Sequence, residues 1–313
     1  MIKTNERTSE MTLFGKKLMV KNYTCFGGGH SYEKKDPVKI QLSIIPTFFC
    51  PAHCPFCVAM RNTGRKGFLN TKKLEKALVG LRNADALRGI SITGGEPFTD
   101  VKLLNEIVEM IFDIFGIEME VCINTNGSGL KHLQEIKRYP LIDTIHMSRH
   151  HYDDSKNRAC FRTLVPTGSE LAEIIASLYD RRLLVFNCLL LKDGIGTKEE
   201  MFKYLEFAAD IGASKVGFVT AMPINEYAKK NVVSYAGLFD RKDPRLLFTN
   251  AYCDYEFCHC QDAVYAAKNG RLVELYGRET AYGCGRYVRG LVYGADNVLR
   301  TGFSEEAEVV AAF

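Results

Sequence analysis

Between residues 40 and 220, short apolar runs alternate with longer amphipathic stretches. The runs read as strands: QLSII (41–45), GISIT (89–93), MEVCIN (119–124), TIHMS (144–148), LLVFNCLL (183–190) and KVGFV (215–219). Between them the apolar residues take a helical spacing. After Asp100, the residues Leu104, Val108 and Ile111 share one face, and Gly116 marks the stop. Thr197 and Glu200 predict a capping box ahead of MFKYLEFAADIG, which ends at Gly212. The stretches 71–83, 130–138 and 169–181 read as helices on weaker signals.

Strand, helix and strand at this spacing imply parallel strands joined by right-handed crossovers. Six such units predict an α/β fold, a partial (β/α)6 TIM-like barrel, with ligands beyond the C-terminal strand ends. The polar segments fall there. A cysteine triplet follows the first strand, TGGEP the second, NTNGS the third and SRHH the fourth. Past residue 230 the pattern changes to RKDPRL and then to strand-like pieces separated by glycine: RLVELYG, RYVRGLVYG and NVLRTGF. The expected organisation is a barrel core at 38–230 and a small cysteine-containing accessory domain at 231–313. Residues 1–37 form an N-terminal extension whose FGGGH run (26–30) is given no chemistry.

The chain has 313 residues, 46% of them apolar, enough for a sizeable core. Its net charge of +4 comes from 41 basic and 37 acidic residues spread along the chain, which gives no reason to expect nucleic acid. No apolar run approaches the ~20 residues needed to span a bilayer, and the N-terminus lacks the apolar core of a signal peptide. These features predict a cytoplasmic protein. Disulfides are rarely stable there, so eleven cysteines point to metal binding or catalysis. Cys50, Cys54 and Cys57 form one group, and Cys253, Cys258, Cys260 and Cys284 another. Cys25, Cys122, Cys160 and Cys188 are scattered and read as small apolar residues.

Three thiolates at C-x3-C-x2-C could hold zinc with His53 as a fourth ligand. They could equally hold three irons of a cubane cluster and leave the fourth iron open. Neighbours such as His53 and Cys54 rarely both reach one metal. In ITGGEPF (92–98), glycines at a strand end let the backbone approach a ligand closely and offer N–H and C=O groups to an amino-acid moiety. The triplet, Phe56 before its third cysteine and Gly94-Gly95-Glu96-Pro97 together resemble the radical S-adenosylmethionine (radical SAM) superfamily, over roughly residues 38–222.

That resemblance implies a 4Fe–4S cluster on Cys50, Cys54 and Cys57, whose open iron takes the amino and carboxylate groups of SAM. It implies that Gly94, Gly95 and Glu96 contact the methionine amino group and that Phe56 lies near the adenine. Asn124, Asn126, Ser148, Arg149 and Asn187 are candidates for the rest of SAM, Arg149 for the methionyl carboxylate because guanidinium binds carboxylate in bidentate fashion. Reductive cleavage of SAM would yield a 5′-deoxyadenosyl radical that takes a hydrogen atom from a small polar molecule or a peptide. The electron would come from a donor such as flavodoxin or ferredoxin.

The second cysteine group has three readings: an auxiliary 4Fe–4S cluster, a thiol that gives a hydrogen atom to a substrate radical, or a zinc knot that includes His259. The loop SRHHYDDSKN (148–157) offers His150, His151, Tyr152 and Asp153 for substrate orientation or acid–base work, against the plainer reading of Asp153 or Asp154 as a helix cap. A glycyl-radical-enzyme activase shares the triplet, but its extra cysteines usually follow soon after, whereas here the next is Cys122. A zinc-binding interaction protein would account for both cysteine groups and leave TGGEP unexplained.

Overall fold

The computed structural model describes residues 8–21, 39–57, 69–249, 253–255, 258–278, 288, 290–304 and 306–313. The core strands are β3 (Ile40–Ile44), β4 (Leu87–Ile92), β5 (Glu120–Thr125), β6 (Thr144–Ser148), β7 (Leu184–Leu190) and β8 (Lys215–Thr220), preceded by β1 (Thr8–Leu13) and β2 (Lys16–Lys21). Helices α1 (Thr71–Asn83), α2 (Val101–Phe115), α3 (Asp154–Phe161), α4 (Gly168–Ser177), α5 (Lys198–Asp210) and α6 (Glu226–Asn231) fill the connections. The chain then adds β9 (Leu246–Phe248), β10 (Cys253–Tyr255), β11 (Cys258–Ala266), β12 (Leu272–Arg278), β13 (Gly290–Tyr293), β14 (Val298–Arg300) and β15 (Val309–Ala312).

Strands β3 to β8 pair in chain order and all in parallel, the partial barrel expected from the six repeated units. Residues after 231 extend the same sheet at both edges. β12 joins β8 in parallel and carries β11 antiparallel, while β13 joins β3 in parallel and carries β14 and β15. The FGGGH run, Cys25 and Cys284 lie outside the described residues.

Each core strand has two faces. In β3 and β6, fully buried and half-buried positions alternate. Leu42, Ile44, Ile123, Ile145, Met147, Phe186 and Phe218 are buried with the apolar helix faces in one continuous core. The alternate positions, among them Ser43, Ser91, Cys122, Asn124, His146, Ser148 and Asn187, line the inner, lumen side. Side-chain bonds cross between these positions, such as Asn124 Nδ2 to Ser91 Oγ (2.8 Å).

Local signals decided most element ends. Asp100 caps α2 by accepting from Leu103 N, and Gly116 closes the helix at φ 82°. Thr197 caps α5 through Glu200 N, but the Glu200 carboxylate pairs with Lys203 (2.9 Å), so only half of the expected capping box forms. A full capping box sits at Thr167 and Glu170, heading α4. The stretch 130–138 is a 3-10 turn over Leu130–Glu135 rather than an α-helix. The β1–β2 hairpin, within the N-terminal extension, places Leu13, Leu18 and Val20 in the core.

Candidate active site

The cysteine loop leaves β3 and is held against the end of β4 by backbone bonds. Thr93 N donates to Ile44 O (2.8 Å), Gly95 N to Thr47 O (3.0 Å) and Glu96 N to Phe49 O (2.9 Å). The two strand ends approach so closely that a Cβ on Gly95 would lie 2.0 Å from the Phe49 carbonyl oxygen. One on Gly94, which has φ +118°, would lie 2.4 Å from Ile45 Cγ2. Both glycines are therefore required by the cysteine loop itself.

Glu96 is almost fully buried, with 1% of its surface exposed. Its carboxylate accepts from Thr125 Oγ1 (2.7 Å), Asn126 N (2.7 Å) and Phe98 N (3.1 Å). Burial raises its pKa, and these three donors oppose the rise. Glu96 thus ties the end of β4 to the end of β5. Asn126, fixed by that contact, directs Nδ2 at Cys50 Sγ (3.6 Å), and Ala52 N also donates to that sulfur (3.4 Å).

Cys50 and Cys57 are half-buried and Cys54 is buried. Burial, reinforced by the neighbouring thiols of Cys57 and Cys50, pushes the Cys54 thiol up to about 12. Cys50 is likewise raised, chiefly by burial. Thiols raised in this way become thiolates only with a compensating cation, the condition that a metal cluster meets. Among the described residues no group of three His, Cys, Asp or Glu side chains converges on a single-ion site. Behind the loop, Cys54, Phe161 and Val165 form a separate apolar cluster joined by Phe56, Cys57 and Cys160, and His53 N donates to Phe161 O (2.9 Å).

The loop after β6 divides into two parts. His150 belongs to the site: its ring meets Phe56 edge-on (4.9 Å) and stacks on Phe161 (4.9 Å), and its Nδ1 accepts from Leu189 N (3.1 Å). Burial lowers its pKa to about 3, so the ring is neutral. Arg149, with none of its surface exposed, points into the scaffold instead. It donates to Pro166 O (3.0 Å) and Tyr152 O (3.1 Å), pairs with Asp154 (2.5 Å) and lies over the Phe207 ring (4.5 Å).

Asp153 caps α3 through Lys156 N (2.8 Å), while His151 accepts from Asp153 N (2.9 Å) and its ring lies tilted beside Tyr152 (4.5 Å). Asn157, which carries no sequence signal, is fully buried and accepts from His150 N (2.8 Å) and His151 N (3.3 Å). It sets the path of the whole loop.

Ser148 and Asn187 pair in register on neighbouring strands, facing the lumen, and Tyr276 Oη donates to Asn187 Oδ1 (2.6 Å). Thr125 and Tyr276 were not anticipated as part of the site. Of the second cysteine group, Cys253 lies on β10 and Cys258 and Cys260 on β11, an antiparallel pair in which Cys253 stands opposite Cys260 and Tyr255 opposite Cys258. His259 pairs with Asp254, one step out of phase with the cysteine positions.

A family model described as the radical SAM superfamily matches residues 44–205, which span the thiol loop, the glycine–glutamate strand end and the lumen strands to α5. The chain belongs to the radical SAM superfamily. Enzymes of that superfamily use a 4Fe–4S cluster and SAM. The probable GTP 3′,8-cyclase of Saccharolobus islandicus strain L.S.2.15 / Lassen #1 is 24% identical over 186 residues, 58% of this chain and 57% of that protein. The chain thus spans well under two thirds of the length of the curated relatives it matches. SuiB of Streptococcus suis bound to S-adenosylmethionine superposes with a TM-score of 0.56 at 12% identity, covering 87% of this chain and 63% of that one. A second SuiB structure gives 0.53 at the same identity and coverage. These likenesses show the fold. Among the described residues no helix is long and apolar enough to cross a membrane.

Proposed function

We propose that this radical SAM enzyme holds its cluster on Cys50, Cys54 and Cys57 and takes a hydrogen atom from a small polar molecule or a peptide in the barrel lumen. The observation that carries this reading is the junction of the thiol loop with Gly94–Gly95–Glu96 at the head of a polar lumen. When bound, the cluster and SAM supply the 5′-deoxyadenosyl radical that removes the substrate hydrogen.

The chain's own residues bind, orient and exclude water. Gly94 and Gly95 let the thiol loop dock, and Glu96 and Asn126 fix its approach to β5. Phe56, held by the neutral His150 ring, forms an apolar wall suited to the adenine of SAM. Asn124, Ser148 and Asn187 offer polar groups along the lumen for the rest of SAM or for substrate. Arg149 and Asp153 act as positioning residues, because their polar groups are engaged within the loop that presents His150. The electron enters from a flavodoxin- or ferredoxin-type donor, and the protein works in the cytoplasm.

The thiols of Cys253, Cys258, Cys260 and Cys284 hold an auxiliary 4Fe–4S cluster in this reading. The strand register supports it, since Cys253 and Cys260 are cross-strand partners while His259 is out of phase with them. Iron counting tests both assignments. Wild-type protein reconstituted anaerobically should hold about eight irons and the Cys50/Cys54/Cys57 triple-alanine variant about four. An iron-free triple variant would leave the second group to zinc or to hydrogen donation. A triple variant with its full iron content would remove the triplet from the site.

A further inference from the structure

The thiol loop is braced at several points. On the Cys50 side it is tied to β4 through Gly95 and Glu96, and His53 N donates to Phe161 O (2.9 Å) at the end of α3. The stretch from Cys54 to Cys57 is a turn closed by Cys57 N donating to Cys54 O (3.1 Å), so two of the three thiols stand at its ends. Pro55 takes its second position, where the ring fixes φ. What remains adjustable is the peptide between Pro55 and Phe56, whose tilt sets the directions of Phe56 and Cys57.

That peptide is gripped from the other end of the six-strand series. Asn225, between β8 and α6, donates from Nδ2 to Pro55 O (2.9 Å). Its Oδ1 caps α6 by accepting from Ala228 N (2.8 Å), so the cap fixes the direction in which Nδ2 points. A trans peptide turns its C=O and N–H opposite ways, so holding Pro55 O also sets the Phe56 N–H. Two residues on, the Tyr227 ring lies 6.4 Å from the Phe56 ring, and Tyr227 Oη donates to Asp193 Oδ2 (2.6 Å), between β7 and α5. Lys192 N donates to Asn231 O (2.9 Å) at the far end of α6. The short helix is therefore braced on the segment after β7 near both of its ends.

We propose that Asn225 is a positioning residue for the third thiol. It holds the Pro55–Phe56 peptide so that Cys57 meets the cluster and Phe56 the adenine of SAM, with Tyr227 and Asp193 as its brace. The geometry of the thiols then depends on β7 and β8 as well as on β4 and β5. The part of this that concerns the cluster rests on the reading of the triplet as its site, whereas the hold on the turn does not.

Two variants separate holding from capping. Asn225→Ser keeps an oxygen that caps α6, but that oxygen sits one bond nearer the backbone than Nδ2 and falls short of Pro55 O; Asn225→Ala loses both roles. In iron-free full-length protein, alkylation of Cys57 by iodoacetamide, followed by peptide mass spectrometry, should be roughly three- to tenfold faster in both variants. Cys50, tied to β4 and β5, should stay within about twofold of wild type, and Asn225→Ala alone should melt at a lower temperature. In reconstituted protein, Asn225→Ser should alter the electron paramagnetic resonance spectrum of the reduced cluster and raise the SAM concentration that half-converts it. An unchanged Cys57 rate or an unchanged spectrum in Asn225→Ser would reduce Asn225 to a helix cap and overturn the proposal. An equal rise at Cys50 and Cys57 would mark general loosening and overturn it too. A wild type that forms no cluster on the triplet would sink the cluster reading instead, and the alkylation comparison would still decide whether Asn225 holds the turn.

Discussion

Gly95 shows how one residue sets the site. Its missing side chain is the space in which the thiol loop runs, and an alanine methyl there would meet backbone, which cannot step aside as a side chain can. Gly95→Ala should therefore leave the barrel folded while lowering iron incorporation at the triplet severalfold. Iron analysis with far-ultraviolet circular dichroism reads both, and full iron content in that variant would contradict the account. His150 gives a prediction in pH. Its folded pKa of about 3 lies below the ordinary value of 6.5, so the unfolded chain binds the proton first. Stability is then complete above pH 6.5 and is lost as pH falls toward 3, by about 2 kcal/mol at pH 5 from this residue. His146 adds a loss of the same sign, since burial, Arg278 and Lys215 depress it as well. Urea unfolding at pH 7 and pH 5 should show the loss, and His150→Gln should reduce it.

At the scale of elements, the strand ends matter more than the strands. Glu96 joins β4 to β5 by accepting from a hydroxyl and two backbone N–H groups, so Glu96→Gln turns an amide donor toward at least one of those donors. An unmet buried donor costs about 1–3 kcal/mol. The variant should melt at a lower temperature and bind SAM more weakly; an unchanged melting point would show that the junction is slack. The six core strands and the main helices were legible because alternation and helical spacing are local properties. The thiol loop and TGGEP were legible as motifs. The position of Arg149 was not: an arginine at a strand end suits a carboxylate ligand as well as it suits Asp154 and two carbonyls, and only the fold distinguishes them. Asn157 and the Tyr276–Asn187 bond were also hidden, because each depends on residues brought together by the loop path or by β12 docking on β8.

For the whole molecule, residues beyond 231 complete the sheet: β12 covers the outer edge of β8 and β13 that of β3. Ending the chain at residue 230 would bare two long parallel edges, which invite association. That truncation should be recovered aggregated or not at all, as size-exclusion chromatography would show; a monodisperse, cooperatively melting product would mean that the core stands alone. The central claim is that the thiol loop, seated on Gly94–Gly95–Glu96, equips this chain to cleave SAM. The most direct measurement is 5′-deoxyadenosine formation by reconstituted protein given SAM and dithionite under anaerobic conditions, with Cys57→Ala as the comparison. The account predicts formation by wild type and its loss in the variant. Equal formation by both, or none by an iron-loaded wild type, would contradict it.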